Sequence, residues 1–252
     1  MALASLFARA RGLGRSLLMY YWPPGSGRKL RDFYAGLVPE GGLCFDIGAH
    51  VGNRSLAFRC LGCRVVAVEP QPDFARFLRH LVKRRPGIVL EEVAIAAAPG
   101  EIELHLSAAT PTVTTASKSF IDGVAAIPSF GEVRWGEVVR VPAVTLDQLI
   151  ARHGLPDFLK LDIEGLEEAA LQGLSRAPGL VSFEFLAGRI ATARACLDRL
   201  EQLAGWSFNV SRGESLELEW ATFVDRPALE AWLDAHAGQD FSGDIYARRL
   251  DP

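Results

Sequence analysis

Apolar residues change their spacing along the chain, and each change marks an element. Leu43 to Ile47 is a short apolar run with one acid, Asp46, that feeds into Gly48, as a buried parallel strand does at the carboxyl edge of a sheet. Arg64 to Glu69, RVVAVE, is a second such run, closed by Pro70. Between them Leu56, Ala57 and Leu61 fall at helical spacing behind Asn53, which is expected to be the N-cap. Phe74, Phe77, Leu78 and Leu81 mark a second helix from Pro72 to Arg84, and Ile88 to Ala96 a third strand. Glu101 to Leu106 alternates as an antiparallel strand does, and Val138 to Val141 is another short strand. Thr145 and Gln148 form a capping box, Pro156 to Ile163 delivers a fourth core strand, and Glu167 to Leu174 the next helix. Strands at Leu180 to Phe185, Trp206 to Ser211, Leu216 to Val224 and Gly243 to Arg249 alternate with helices at Thr192 to Leu203 and Pro227 to His236. The order predicts a doubly wound α/β fold with about seven core strands and helices on both faces.

Ligands of such sheets sit at the carboxyl ends of the strands, beside the point where strand order reverses. Asp46, the glycine turn and Glu69 should therefore face one crevice. An acid about twenty residues after the first glycine is placed to accept from ribose hydroxyls, so the ligand is a nucleoside. The turn reads G-x-x-x-G, with Gly48 and Gly52 enclosing Ala49 and His50, not the G-x-G-x-x-G that seats a pyrophosphate. That spacing suits S-adenosylmethionine. The expected cofactor cradle is Asp46, Gly48, Ala49, His50, Gly52, Asn53, Glu69 and Pro70.

A second constellation ends the fourth core strand at Lys160-Leu161-Asp162-Ile163-Glu164-Gly165. Asp162 should face Asp46 across the switch point, with Glu164 on the same side of the chain. Both are candidate catalytic residues, and any of Asp162, Glu164, Glu184 or His50 can be the general base. Two other readings stand beside this one. Asp162 and Glu164 can form a structural turn with Glu164 capping the next helix, or they can hold a divalent cation. No compact metal-ligand motif is present, so catalysis is expected to proceed without metal. Asp162→Asn is expected to leave the empty protein's stability nearly intact, on the premise that the cofactor supplies its counter-charge.

The blocks FDIGAHVGNRS, VVAVEPQP, VTLDQLI, DFLKLDIEGLE, VSFEF and SGDIYAR, in this order over nearly the whole chain, resemble the FkbM-type S-adenosylmethionine-dependent methyltransferases. The resemblance implies a class I methyltransferase (Rossmann-like) fold and methyl transfer, usually to a hydroxyl on a small molecule, sugar or glycan. The acceptor varies across the family. A non-catalytic nucleoside-binding assembly module and a nicotinamide-dependent oxidoreductase are the alternatives.

Composition refines this picture. With 252 residues, 49% of them hydrophobic, the chain can fill one large core. We expect an N-terminal helical arm and entry helix over residues 1–38 and one catalytic domain over 39–252, with residues 107–137 inserted as a lid over the acceptor. Net charge is −3, yet the first 31 residues hold Arg9, Arg11, Arg15, Arg28, Lys29 and Arg31 and no acid. The remainder has 21 basic and 30 acidic residues, a balance of −9. This basic arm suggests contact with phosphate, an anionic membrane surface or another subunit, beside the plainer reading of Met1 to Trp22 as an amphipathic helix lying against the domain. The body lacks a basic patch interleaved with aromatics, so no nucleic-acid partner is expected. Four cysteines form no disulfide framework, and Cys60-Leu61-Gly62-Cys63 has no second pair with which to bind zinc. No leader or membrane span is recognisable, and a cytoplasmic protein is expected.

Overall fold

Short buried runs separated by amphipathic helices lead the chain repeatedly across a single main sheet. The computed structural model describes residues 2–22, 25–107, 114–124 and 133–250. Helices α1 (Ala2–Tyr21) and α2 (Ser26–Ala35) precede β1 (Leu43–Ile47), α3 (Asn53–Cys60), β2 (Arg64–Val68), α4 (Pro72–Val82) and β3 (Ile88–Glu91). A small sheet follows, made of β4 (Ala94–Ile95), β5 (Gly100–Leu106) and β6 (Glu137–Val144), with α5 (Lys118–Val124) between the last two. The chain returns through α6 (Leu146–His153), β7 (Phe158–Leu161), α7 (Glu167–Gln172), β8 (Leu180–Leu186), α8 (Ile190–Glu201), β9 (Trp206–Arg212), α9 (Arg226–His236) and β10 (Ser242–Arg249).

The main sheet has the order β3-β2-β1-β7-β8-β10-β9. Its strands pair in parallel except β10, which runs antiparallel to both β8 and β9. This is the class I methyltransferase fold, α/β with seven core strands. The order reverses between β1 and β7, so the turns that leave these two strands open onto one crevice. Apolar residues fill both faces: Phe45, Leu159, Val181 and Phe183 on one, Cys44, Phe158, Leu180 and Tyr246 on the other. The second face changes character toward the carboxyl ends, where Asp46, Lys160, Ser182 and Tyr246 lie side by side in one register row.

Three expected elements differ. The run from Ile88 to Ala96 divides between β3 in the main sheet and β4 in the small one, and β4 pairs with β6. Leu216 to Val224 forms no strand. Its Leu216, Leu218 and Phe223 pack against one face of the sheet and Trp220 against the other, and its backbone meets the edge strand β9 at isolated points: Val224 exchanges both backbone bonds with Phe208, and the Glu219 N–H donates to the Val210 carbonyl. The side-chain amide of Asn209 takes a neighbouring strand's place, donating to the Trp220 carbonyl at 2.8 Å and accepting the Trp220 N–H at 3.2 Å. Finally, α3 is preceded by Gly52 with φ 77° and no side-chain cap, while Asn53 is its first residue. Of the stretch 107–137, residues 108–113 and 125–132 lie outside the described residues.

Gly48 joins the two turns at the switch point. It has φ 83°, and a Cβ built on it would lie 1.9 Å from the Asp162 carbonyl oxygen, which is backbone and cannot swing aside. Gly48→Ala should therefore lower stability by more than the ~1 kcal/mol of positive φ alone, on the order of 3 kcal/mol. Urea unfolding at neutral pH checks this, and a loss under 1 kcal/mol would show that the turns separate easily.

Candidate functional site

The crevice begins with how β2 holds the turn after β1. The N–H groups of Gly48 and Ala49 both donate to the Val68 carbonyl, at 2.9 and 3.0 Å. One residue on, the His50 N–H donates to Glu69 Oε2 at 2.7 Å, and the Gln71 N–H donates to Oε1 at 2.8 Å. Gln71 in turn caps α4 through the N–H groups of Asp73 and Phe74. Each Glu69 oxygen so engaged keeps a lone pair for one more donor. Burial raises the Glu69 pKa to about 7, although both backbone donors favour the ionised form.

His50 stands in the left-handed region at φ 51°. Its ring meets Phe74 edge-on at 4.0 Å and Tyr20 of α1 at 5.4 Å, and its Nε2 is buried with no partner among the described residues. Burial lowers its pKa to about 4, so the imidazole is neutral. Asp46 is buried in the β1 row, accepts from the Ser55 hydroxyl at 2.5 Å, and has its pKa raised by burial.

The far wall carries the acids that end β7 and β8. Lys160, only 1% exposed, donates to Asp162 Oδ2 at 2.7 Å. Burial acts to raise the Asp162 pKa, but the charges of Lys160 and then Arg54 outweigh it and hold the carboxyl below its ordinary range. Glu164, at φ 52°, and Glu184 are pushed the other way, first by burial and then by neighbouring carboxylates. Asp162, Glu164 and Glu184 can bring an oxygen each within 4.8 Å of one another. The turn itself is held by Glu167, whose carboxylate accepts from the N–H groups of Ile163 and Gly165, both at 3.0 Å. Glu164 does not cap the helix, since α7 starts after Leu166 without a side-chain cap.

Of the expected residues, Asp46, Gly48, Ala49, His50, Asn53, Glu69, Pro70, Asp162 and Glu164 line one crevice, with Glu184. Gly52 does not. A Cβ there would meet Leu78 and Leu81, so this glycine lets α4 approach the turn. Not anticipated were Lys160, Ser55, Gln71, Tyr20 and Thr114. Lys160 was the most readable of them, a lone cation in the buried run FLKL, two residues before an acid. Its presence overturns the premise that Asp162 depends on the cofactor for its counter-charge.

S-adenosylmethionine fits this donor set. Glu69 has open lone pairs for ribose hydroxyls, and the His50 Nε2 and the Thr114 hydroxyl are buried beside the crevice with no partner among the described residues. Val93, Ile95 and Phe74 offer an apolar lining for a flat base, and the acids suit a cationic ligand.

The family model described as "Methyltransferase FkbM domain" matches residues 46–191, which contain both the cradle and the acidic wall. Comparison with curated proteins gives no match. Among solved structures, the chain is similar to a TehB-like SAM-dependent methyltransferase from Corynebacterium glutamicum, with 12% identity over 99% of this chain and 100% of that one and a TM-score of 0.48. It is also similar to the O-methyltransferase from Bacillus cereus in complex with SAH, with 12% identity over 98% and 91% of the two chains and a TM-score of 0.47.

Two measurements test this geometry. Asp162→Asn leaves the buried Lys160 ammonium without its carboxylate, so the empty protein should lose about 3 kcal/mol of stability; an unchanged melting curve would mean the pair is replaceable. For Glu69, the pKa is 4.5 unfolded and about 7 folded. Its contribution is complete below the unfolded value and disappears as pH rises through about 7. Wild type should therefore lose roughly 2 to 4 kcal/mol relative to Glu69→Gln between about pH 4 and about pH 8 in the absence of cofactor. A wild type that holds or gains stability relative to Glu69→Gln as pH rises would contradict the assignment.

Proposed function

Because the chain belongs to the FkbM methyltransferase domain family, and so is an S-adenosylmethionine-dependent methyltransferase, we propose that it transfers the methyl group to a hydroxyl oxygen on a small molecule, sugar or glycan. The observation that carries this reading is the pair of proton-avid carboxylates, Glu164 and Glu184, in the same crevice as the cradle. A hydroxyl must lose its proton as its oxygen is methylated, and a carboxyl with raised proton affinity is matched to receive it. Family membership replaces the nicotinamide oxidoreductase and the non-catalytic module as readings.

S-adenosylmethionine supplies an electrophilic methyl group on a cationic sulfur. Glu69 would hold the ribose, and the turn from Gly48 to Asn53 with Pro70 would shape the cradle beside it. Asp162, fixed by Lys160, contributes a permanent negative charge on the side of the crevice where the acceptor reacts. Of the four candidate bases, Asp162 is committed to that ion pair, and His50, with its depressed pKa, is a weak base. Glu164 and Glu184 remain, each able to take the proton onto a carboxylate oxygen. The insertion, read as a lid, reaches the crevice through Thr114, Thr115 and Ala116, and the Thr115 hydroxyl donates to the Glu164 carbonyl at 2.6 Å. A cytoplasmic setting is supported by the free cysteines Cys44, Cys60, Cys63 and Cys196. No helix among the described residues is long and apolar enough to cross a membrane.

The test is methyl transfer from labelled S-adenosylmethionine to a panel of alcohols, sugars, amines and carbon acids. Hydroxyl acceptors should be labelled, and replacing the base, as Glu184→Gln or Glu164→Gln, should lower kcat on the order of a hundredfold with cofactor affinity little changed. Transfer only to nitrogen or carbon would refute the O-methylation reading. Activity should survive a chelator; loss restored by magnesium would make the Asp162, Glu164 and Glu184 group a cation site.

A further inference from the structure

Away from the crevice, the end of α1 carries a concentration of exposed apolar side chains not found elsewhere among the described residues. Arg11, Arg15, Leu18, Met19 and Trp22 follow the spacing i, i+4, i+7, i+8, i+11, which places them along one side of the helix and its exit, and all five are exposed. Gly12 and Ser16, on the flank next to Met19, are buried, and Tyr20 on the opposite side reaches inward to His50. Leu18 is 59% exposed, Met19 51% and Trp22 77%. With Tyr21, four of the seven large apolar side chains exposed among the described residues lie in this five-residue stretch. Such a concentration is not the scatter of single apolar residues normal for a protein surface.

Cations frame this patch. Beside it a groove between α1, α2, α3 and the end of α4 is lined by Tyr20 and Tyr21 together with Arg31, Arg59, Arg84 and Arg85, and no acid lines it. No carboxylate pairs with any of these four arginines among the described residues. The Arg59 Nε donates to the Pro86 carbonyl, and the Arg85 charge is felt at the Tyr21 hydroxyl, so the groove and the end of α1 form one surface. Arg28 and Lys29 of α2 are exposed nearby in sequence.

We propose that this face docks on an anionic lipid bilayer, with Leu18, Met19 and Trp22 in the headgroup layer and Arg11, Arg15 and the arginines of the groove against lipid phosphates. A helix with large apolar residues and arginines on one face, ending in a tryptophan, has the composition that lies at such an interface. Charge selects the bilayer over a second copy of this chain. A symmetric contact would set one cationic frame against another, whereas an anionic leaflet is complementary to it and disfavours the acidic body. The inference does not depend on the methyl acceptor, because none of the residues placed in the lipid layer lines the crevice.

Co-sedimentation of the full chain with vesicles tests it. The protein should pellet with phosphatidylglycerol vesicles, remain in solution with phosphatidylcholine vesicles, and be released by high salt. The double variant Leu18→Glu with Trp22→Glu, and separately Arg84→Glu with Arg85→Glu, should each weaken partitioning at least about tenfold at unchanged melting temperature. Failure to pellet with phosphatidylglycerol, or pelleting that neither variant reduces, would overturn the proposal. So would a dimer in light scattering that Leu18→Glu with Trp22→Glu converts to monomer, since the patch would then be a subunit contact.

Discussion

Everything at the switch point depends on how the chain accommodates Lys160. A cation in the middle of a buried parallel strand is expensive unless a partner is fixed within reach, and the next outward-facing position along the strand supplies one in Asp162. The pair does more than neutralise itself. Because Asp162 stays ionised, its charge falls on Glu164 and Glu184 and makes both harder to ionise. Replacing the pair by apolar residues of similar size could leave the fold as stable, but the neighbouring carboxyls would then lose one source of their raised proton affinity. The ion pair is thus better understood as a means of setting the electrostatics of the crevice than as a source of stability.

Glu69 plays a comparable double part on the opposite wall. Its two oxygens hold the turn after β1 and the start of α4, and the same oxygens are those a ribose would use. On the proposed reading, binding surface and scaffold would be one side chain, with the shape of the cradle fixed before any ligand arrives. Preorganisation of this kind lowers the cost of ordering on binding. Gly48 acts in the same way on the backbone, since the absence of a Cβ lets the turns after β1 and β7 touch.

Most of the fold was legible because each buried strand of a doubly wound sheet carries a local signal, an apolar run ended by a turn residue. The failures share a cause. Leu216 to Val224 alternates like a strand and bridges β9 at Val224, but a continuous ladder is interrupted where Asn209, a distant residue, engages both backbone groups of Trp220 with its side-chain amide. Asn53 has the right chemistry for a cap, but Gly52 adopts the left-handed conformation ahead of it and α4 packs where a side chain would stand. Around the crevice, the acids were visible as strand-end residues, whereas their division of labour was not. Asp162, Glu164 and Glu167 sit within six positions of one another, and only the folded geometry distinguishes the ion-paired acid, the proton-avid one and the one that holds the loop.

That division of labour ties ligand occupancy to stability. Burial and mutual repulsion push Asp46, Glu69, Glu164 and Glu184 toward their protonated forms, while Lys160 and Arg54 offset only part of the negative charge. An empty crevice with this composition is a place where ionisation is penalised, and a cationic ligand relieves the penalty without any change in shape. Its binding free energy therefore contains a contribution already stored in the empty fold. The same linkage requires proton release when the ligand enters near neutral pH, because a positive charge lowers the proton affinity of every carboxyl that faces it. The basic outer arm lies on a different surface and leaves that internal balance untouched. Charge is thus separated by location among the described residues, with acids around the crevice and arginines free of carboxylate partners around the groove beside α1, where the proposed anionic surface would meet them.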